Sequence, residues 1–231
     1  MIHATQISKK YNETVVLSVE ELTIKKGEHF GLVGNNGAGK TTLFSLALDL
    51  IRPSSGKITI DTIDVSKSEQ WKQKCAAFID DSFLIDYLTP EEYFSFVSQL
   101  RAVDEKTLEE FLYQFEEFFN GEILGQKKYL RDFSKGNQKK VGLAAAFIGD
   151  PEVVILDEPF ANLDPTSQIR LKSFIASEAN KKRTLMISSH DLNHVTEVCN
   201  RIVLLEKGVI IKDTPKSAKT LKELEAYFSG Q

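Results

Sequence analysis

Apolar residues in the first sixty positions come in short runs rich in β-branched side chains, at 2–7, 14–19, 22–24 and 57–60. Turn residues separate them, among them Lys26-Gly27 and Ser54-Ser55-Gly56. Short runs punctuated in this way predict strands. A further apolar run at 29–33 leads straight into a glycine-rich segment. A helix is expected after it, from about residue 39 to residue 50, stopping ahead of Pro53 because proline pushes its predecessor out of the helical region. The pattern changes in the middle. Thr89-Pro90-Glu91-Glu92 reads as a capping box with proline at the first helical position. Leu108, Phe111, Leu112, Phe115, Phe118 and Phe119 then recur at helical spacing. Residues 84–132 are therefore expected as a helical subdomain with the phenylalanines in its core.

The last hundred residues alternate. Helices at 135–148, 165–179 and 191–199 precede strands at 153–156, 185–188 and 202–205. Lys207-Gly208 turns the chain into a hairpin with 209–211, and 216–228 is expected as a surface helix. Strands alternating with helices imply a parallel sheet covered on both faces.

Chemistry enters at the glycine-rich segment. Gly34-Asn35-Asn36-Gly37-Ala38-Gly39-Lys40-Thr41 satisfies the phosphate-loop pattern G-x-x-x-x-G-K-[ST] in full, between an expected strand and an expected helix. Its glycines let successive main-chain N–H groups turn toward phosphate oxygens, and the helix N-terminus adds partial positive charge. Lys40 is expected to reach the β- and γ-phosphates, Thr41 to ligate Mg²⁺, and Thr42 to complete the nucleotide-binding set. The strand at 153–156 ends in Asp157-Glu158. Ends of parallel strands open onto the ligand crevice, so both acids are expected to face the phosphate loop. Asp157 suits the Mg²⁺ shell, and Glu158 suits a general base that polarises the attacking water.

Composition narrows the function classes. Of 231 residues, 42% are hydrophobic and 27% charged, enough apolar material for one domain with a sizeable core. The net charge of −4, from 29 basic and 33 acidic residues, weighs against a nucleic-acid partner. Cys75 and Cys199 stand far apart and form neither a disulfide framework nor a metal-ligand spacing, the pattern of a reducing compartment. The first ten residues lack the apolar stretch of a signal peptide. No run approaches the roughly 18 apolar residues of a membrane span, so a partner is expected to supply any span.

With these motifs in order, the whole chain resembles the ABC ATPases. Phe133-Ser134-Lys135-Gly136-Asn137-Gln138 looks like their signature, usually leucine-serine-glycine-glycine-glutamine. Ser134 and Gly136 match, and Lys135 and Asn137 depart. The stretch 134–141 is close to a variant seen in exporter-type members. Ser134 can cap a helix whose N-terminus points at an anion, and the resemblance makes that anion the γ-phosphate held by the opposite subunit. Ala161-Asn162-Leu163-Asp164 resembles the family's D-loop at the dimer interface. His190 resembles the switch histidine that contacts the γ-phosphate. Tyr11 sits where the family stacks an aromatic ring on adenine. The family usually places a glutamine after the strand that leads into the helical subdomain. Here the stretch is Ile79-Asp80-Asp81-Ser82. Spacing from Leu88-Thr89 puts Asp80 in the glutamine's place, with Asp81 one step away. A carboxylate there can meet Mg²⁺ but donates no hydrogen bond as an amide does.

The resemblance implies an α/β fold: a P-loop NTPase core with a mainly parallel sheet, an N-terminal antiparallel β-subdomain and an inserted α-helical subdomain. The core is expected over 1–83 and 133–231, the helical part over 84–132, within a single domain. It further implies an ATP- and Mg²⁺-dependent ATPase that drives export through a separate integral-membrane permease. Two copies, or two paired ABC ATPase subunits, would sandwich ATP, on the cytoplasmic face of the cell membrane. The alternative is a soluble ABC ATPase without transport, such as an iron–sulfur cluster assembly ATPase. Members that maintain chromosomes carry a long coiled coil for which 231 residues leave no room, and translation-associated members carry two phosphate loops where this chain has one. A small-molecule kinase on a P-loop has no use for the Ser134 motif.

Overall fold

The protein is described by a computed structural model over residues 1–229. The N-terminal runs form an antiparallel sheet: β1 (Ile2–Tyr11) lies between β2 (Thr14–Ile24) and β4 (Ser55–Ile60), with the short β5 (Ile63–Asp64) at the edge. The runs expected at 14–19 and 22–24 are one continuous strand. Its inward face slips by one residue between Val19 and Leu22, both buried, opposite Gln6, which takes φ +47°. A break in alternation therefore reads as a break in the strand, although the pairing with β1 continues.

The second sheet has six strands in the order β10-β9-β3-β8-β7-β6. They are β3 (His29–Val33), β6 (Cys75–Phe78), β7 (Val153–Leu156), β8 (Thr184–Ser189), β9 (Arg201–Glu206) and β10 (Val209–Pro215). Five run parallel and β10 runs antiparallel to β9. Every residue of β3, β7 and β8 is buried, as expected of strands covered on both faces. The first helix, α1 (Lys40–Ala47), follows β3 and stops three residues short of the expected end.

The inserted segment holds α2 (Pro90–Leu100), α3 (Glu105–Tyr113) and the short α4 (Glu116–Phe119). The capping box at α2 is formed: the Glu92 N–H donates to Thr89 Oγ1 at 3.3 Å and the Thr89 N–H donates to Glu92 Oε2 at 2.8 Å. Phe115 stacks between its own segment and the main body, with ring centroids 5.8 Å from Phe119 and 4.5 Å from Phe174. Phe174 belongs to α6 (Pro165–Glu178), which with α5 (Lys135–Ala145) and α7 (Leu192–Val198) covers the parallel sheet. One hydrophobic cluster therefore runs from the insert into the sheet.

The C-terminal end differs from expectation in two ways. The β10 ladder continues past the apolar residues to Pro215, because an edge strand tolerates polar side chains. The last helix, α8, is Thr220–Ser229, and it is more than a surface helix. Leu224 is 1% exposed, and Tyr227 and Phe228 pack against the main cluster.

Candidate nucleotide site

Four parallel strands end at one edge of the sheet. In the order β3, β8, β7, β6 they carry the loop 34–39, His190, the pair Asp157-Glu158, and Asp80. Residues distant in sequence thus meet where ligands enter such sheets.

Gly39 is the N-cap of α1 and takes φ +105°, a conformation that disfavours any residue with a Cβ. The first turn of α1 has no side-chain cap and no acid. Its N–H groups and the positive end of the helix dipole are therefore available to an anion. The Lys40 side chain is 6% exposed. Its ammonium donates to the carbonyls of Gly34 at 2.7 Å and Asn35 at 3.3 Å, and lies 3.3 Å from Glu158 Oε1.

The acid pair meets the loop from the other side. The Thr41 hydroxyl donates to Asp157 Oδ2 at 2.5 Å. The Ser188 hydroxyl, on β8, donates to Asp157 Oδ1 and accepts the Glu158 N–H at 2.9 Å. Burial pushes the Asp157 carboxyl above the usual carboxylate range, opposed by the bonds from Ser188 and Thr41. His190 Nδ1 lies 2.9 Å from Glu158 Oε2, so with the carboxylate accepting, Nδ1 carries the hydrogen.

Two clefts flank this junction. One, of 290 Å³, is lined by Tyr11, Val16, residues 36–42 and Glu158. Tyr11 is half-exposed at the end of β1, with the Lys9 ammonium 4.9 Å above its ring. The other, of 610 Å³, is lined by Thr41, Asp157, Glu158, Asp80, Asp81 and Lys139 among others. Asp80 Oδ1 accepts the Ser82 N–H at 2.8 Å, and the Ser82 hydroxyl together with that N–H holds the Asp80 carboxyl below its ordinary value. Asp81 is the more buried acid. Burial raises its carboxyl, and its Oδ1 makes no hydrogen bond.

Thr41, Asp157 and the acids beyond them offer hydroxyl and carboxylate oxygens, the hard donors that Mg²⁺ takes. Among the described residues no group of three or more His, Cys, Asp or Glu is placed to hold a metal by itself. An ion here would share its shell with phosphate oxygens and water, as Mg²⁺ ordinarily does.

Ser134 and Gly136 stand apart. The Ser134 hydroxyl accepts the Asn137 N–H at 3.2 Å and caps α5, but neither residue lines either cleft. Two residues of the site had no role in the sequence reading: Ser188, which ties Asp157 to Glu158, and Lys139, which is buried. A serine inside a core strand and a lysine inside a helix carry no local signal, since only the fold brings them to the acids.

The profile of the family described as ABC transporter matches residues 17–161. An uncharacterized ABC transporter ATP-binding protein of Nostoc sp. is 35% identical over 191 residues, covering 82% of this chain and 57% of that protein. A similar relative in Synechocystis sp. is covered over 54% of its length, so the chain spans little more than half of these two proteins. The ABC transporter ATP-binding protein NatA of Bacillus subtilis is 32% identical over 221 residues, 91% of this chain and 88% of that protein. The lantibiotic transport ATP-binding protein SrtF of Streptococcus pyogenes is 29% identical over 233 residues, 100% of this chain and 97% of that protein. A solved structure of an ATP-binding subunit of an ABC transporter superimposes with a TM-score of 0.85 at 26% identity, covering 99% of this chain and 93% of that one.

Proposed function

We propose, from the premise that the chain belongs to the ABC transporter family of ATP-binding proteins, that it hydrolyses ATP to drive export through a membrane permease on a separate chain. The observation that carries this reading is the junction of Thr41 with Asp157 and of Lys40 with Glu158 at the mouth of the phosphate loop. The loop 34–42 cradles the phosphates and Lys40 neutralises them. Thr41 and Asp157 would hold the Mg²⁺ that accompanies ATP, and Asp80, which lines the same cleft, would add a further carboxylate. When bound there, Mg²⁺ would supply charge stabilisation for the transferred phosphoryl group. Glu158 accepts a proton from the attacking water, and His190, bonded to Glu158 Oε2, keeps that carboxylate turned toward the γ-phosphate. Tyr11 stacks on adenine at the outer end of the smaller cleft. Export is favoured by the Ser134-Lys135-Gly136 form of the signature and by the similarity to a protein named for lantibiotic transport.

Ser134 and Gly136 line neither cleft, which favours action in trans. A second copy, or a paired subunit, related by a two-fold axis would bring its capped α5 terminus to the γ-phosphate. Among the described residues no helix is long and apolar enough to cross a membrane. The permease would carry the span and hold this subunit at the cytoplasmic face.

Glu158→Gln tests the reading. The amide keeps the shape but takes no proton, so ATP binding persists while turnover falls about 100-fold or more. In size-exclusion chromatography the variant should elute as a dimer with Mg-ATP and as a monomer without it. A monomer under both conditions removes the sandwich from the proposal, and wild-type turnover removes Glu158 as the base.

A further inference from the structure

Lys139 has no task in the reaction as described, yet it is 7% exposed and lines the larger cleft with Thr41, Asp157, Glu158, Asp80 and Asp81. Burying an ammonium is costly unless charge and hydrogen bonds compensate. Here the compensation is visible. The ammonium donates to the main-chain carbonyl of Glu158 at 3.0 Å; burial lowers its pKa below the ordinary lysine value, and Asp81, Glu158, Asp80 and Asp157 offset part of that burial.

Glu158 is the residue in this loop that most needs holding. Its φ is +46°, a left-handed backbone that costs a residue with a Cβ about 1 kcal/mol or more. Side chains from two different elements fix both of its main-chain polar groups. Ser188 of β8 accepts the N–H, and Lys139 of α5 donates to the carbonyl, which also accepts the Ala161 N–H of the turn at 3.2 Å. The same turns of α5 touch the segment that follows. A Cβ on Gly136 would stand 2.7 Å from the Asn162 carbonyl oxygen, and the Lys140 ammonium lies 4.0 Å from Asp164. The start of α5 thus lies along residues 158–164.

We infer that Lys139 is a positioning residue for the hydrolytic step: it holds the Glu158 main chain in its left-handed turn and so aims the Glu158 carboxylate. This inference rests on the reading of Glu158 as the base. It ties the helix that bears Ser134 to the carboxylate that activates water, with one ammonium between them.

The test compares Lys139→Met and Lys139→Arg, each alone and in the Glu158→Gln background. The readouts are steady-state ATP hydrolysis and hydrogen–deuterium exchange across residues 157–163. Lys139→Met should lower kcat about 10- to 100-fold, the scale of a misaimed catalytic group, while KM stays near its starting value. Lys139→Arg, which keeps charge and donor, should recover most of the loss. In the Glu158→Gln background Lys139→Met should cause no further loss, because residues acting as a unit are not additive. Exchange across 157–163 should quicken in Lys139→Met and return toward normal in Lys139→Arg. Should Lys139→Met fail to fold, Lys139→Gln, whose donor is too short to span the gap, takes its place. Wild-type kcat in the neutral variant, or a loss that adds in full to that of Glu158→Gln, overturns the inference. If Glu158→Gln itself hydrolyses at the wild-type rate, the base reading falls. Exchange then decides for Lys139: faster exchange in Lys139→Met sustains its hold on the turn, and unchanged exchange ends it.

Discussion

At the scale of single residues, Asp80 shows two physical duties on one side chain. It stands in the larger cleft with Thr41 and Asp157, and it also caps the turn at Asp81–Phe83 through the Ser82 N–H. Asp80→Asn keeps a capping oxygen, so the fold should hold while the Mg²⁺ dependence of hydrolysis changes. Asp80→Gln should retain more ATPase activity than Asp80→Ala, because the amide can still reach an ion or a water. Titrating Mg²⁺ against turnover in the three variants checks this. Wild-type curves for both alanine and glutamine would leave Asp80 as a turn cap and move the metal-side role to Asp81. His29 carries a prediction about pH. Its Nδ1 faces the Val198 carbonyl at 3.3 Å, and its Nε2 is buried with no hydrogen-bond partner. Burial lowers its pKa below the ordinary 6.5, against the pull of Val198 and Glu178. Below 6.5 the unfolded chain therefore takes up a proton that the folded chain resists. Stability is full above that value and falls as pH drops from 6.5 toward the lowered native pKa. Thermal midpoints should decline between pH 7 and pH 5.5, and His29→Asn should shallow the slope. An unchanged slope would show that the other depressed histidine, His194, carries the effect.

At the scale of elements, α5 is where packing overrides propensity. It is buried from Gln138 to Ala145, and Gly142 lies within it. A glycine in a helix interior costs about 1 kcal/mol against alanine, so Gly142→Ala would be expected to stabilise. The space says otherwise. A Cβ at Gly142 would stand 2.0 Å from the Phe78 ring at the end of β6, and overpacking of a core costs about 1–3 kcal/mol. The second effect wins, so Gly142→Ala should lower stability in urea unfolding, and adding Phe78→Leu should recover part of the loss. A stabilised single variant would mean that the ring moves aside freely. This contact also sets the height of α5 over the sheet, and with it the place of Lys139 against Glu158.

At the scale of the whole molecule, the insert and the parallel sheet are joined through shared aromatic packing. Phe115 contacts Phe111, Phe119 and, across the join, Phe174. Removing that ring should cost about 3–5 kcal/mol. The single tryptophan, Trp71, is buried in the other hydrophobic cluster, under the N-terminal sheet. Phe115→Ala should therefore shift Trp71 fluorescence and far-UV circular dichroism together, in one transition. Two separated transitions would show that the helical insert unfolds on its own.

Much of this protein was legible in its sequence because the signals are local. The phosphate loop, the Thr89-Pro90-Glu91-Glu92 capping box and the buried run before Asp157-Glu158 are each written in fewer than ten consecutive residues. Backbone geometry acts over that range. The order of the strands was not legible, and it is the order β3-β8-β7-β6 that gathers the phosphate loop, His190, Glu158 and Asp80 at one edge. Nor did any local pattern mark Ser188 or Lys139. Their roles come from hydrogen bonds to residues 30 and 19 positions away, set by how β7, β8 and α5 pack. The sequence by itself determined which chemical groups are present and which short segments present them. The tertiary structure alone decided which of those groups meet, because hydrogen bonds and ion pairs act over a few ångströms of space and take no account of distance along the chain.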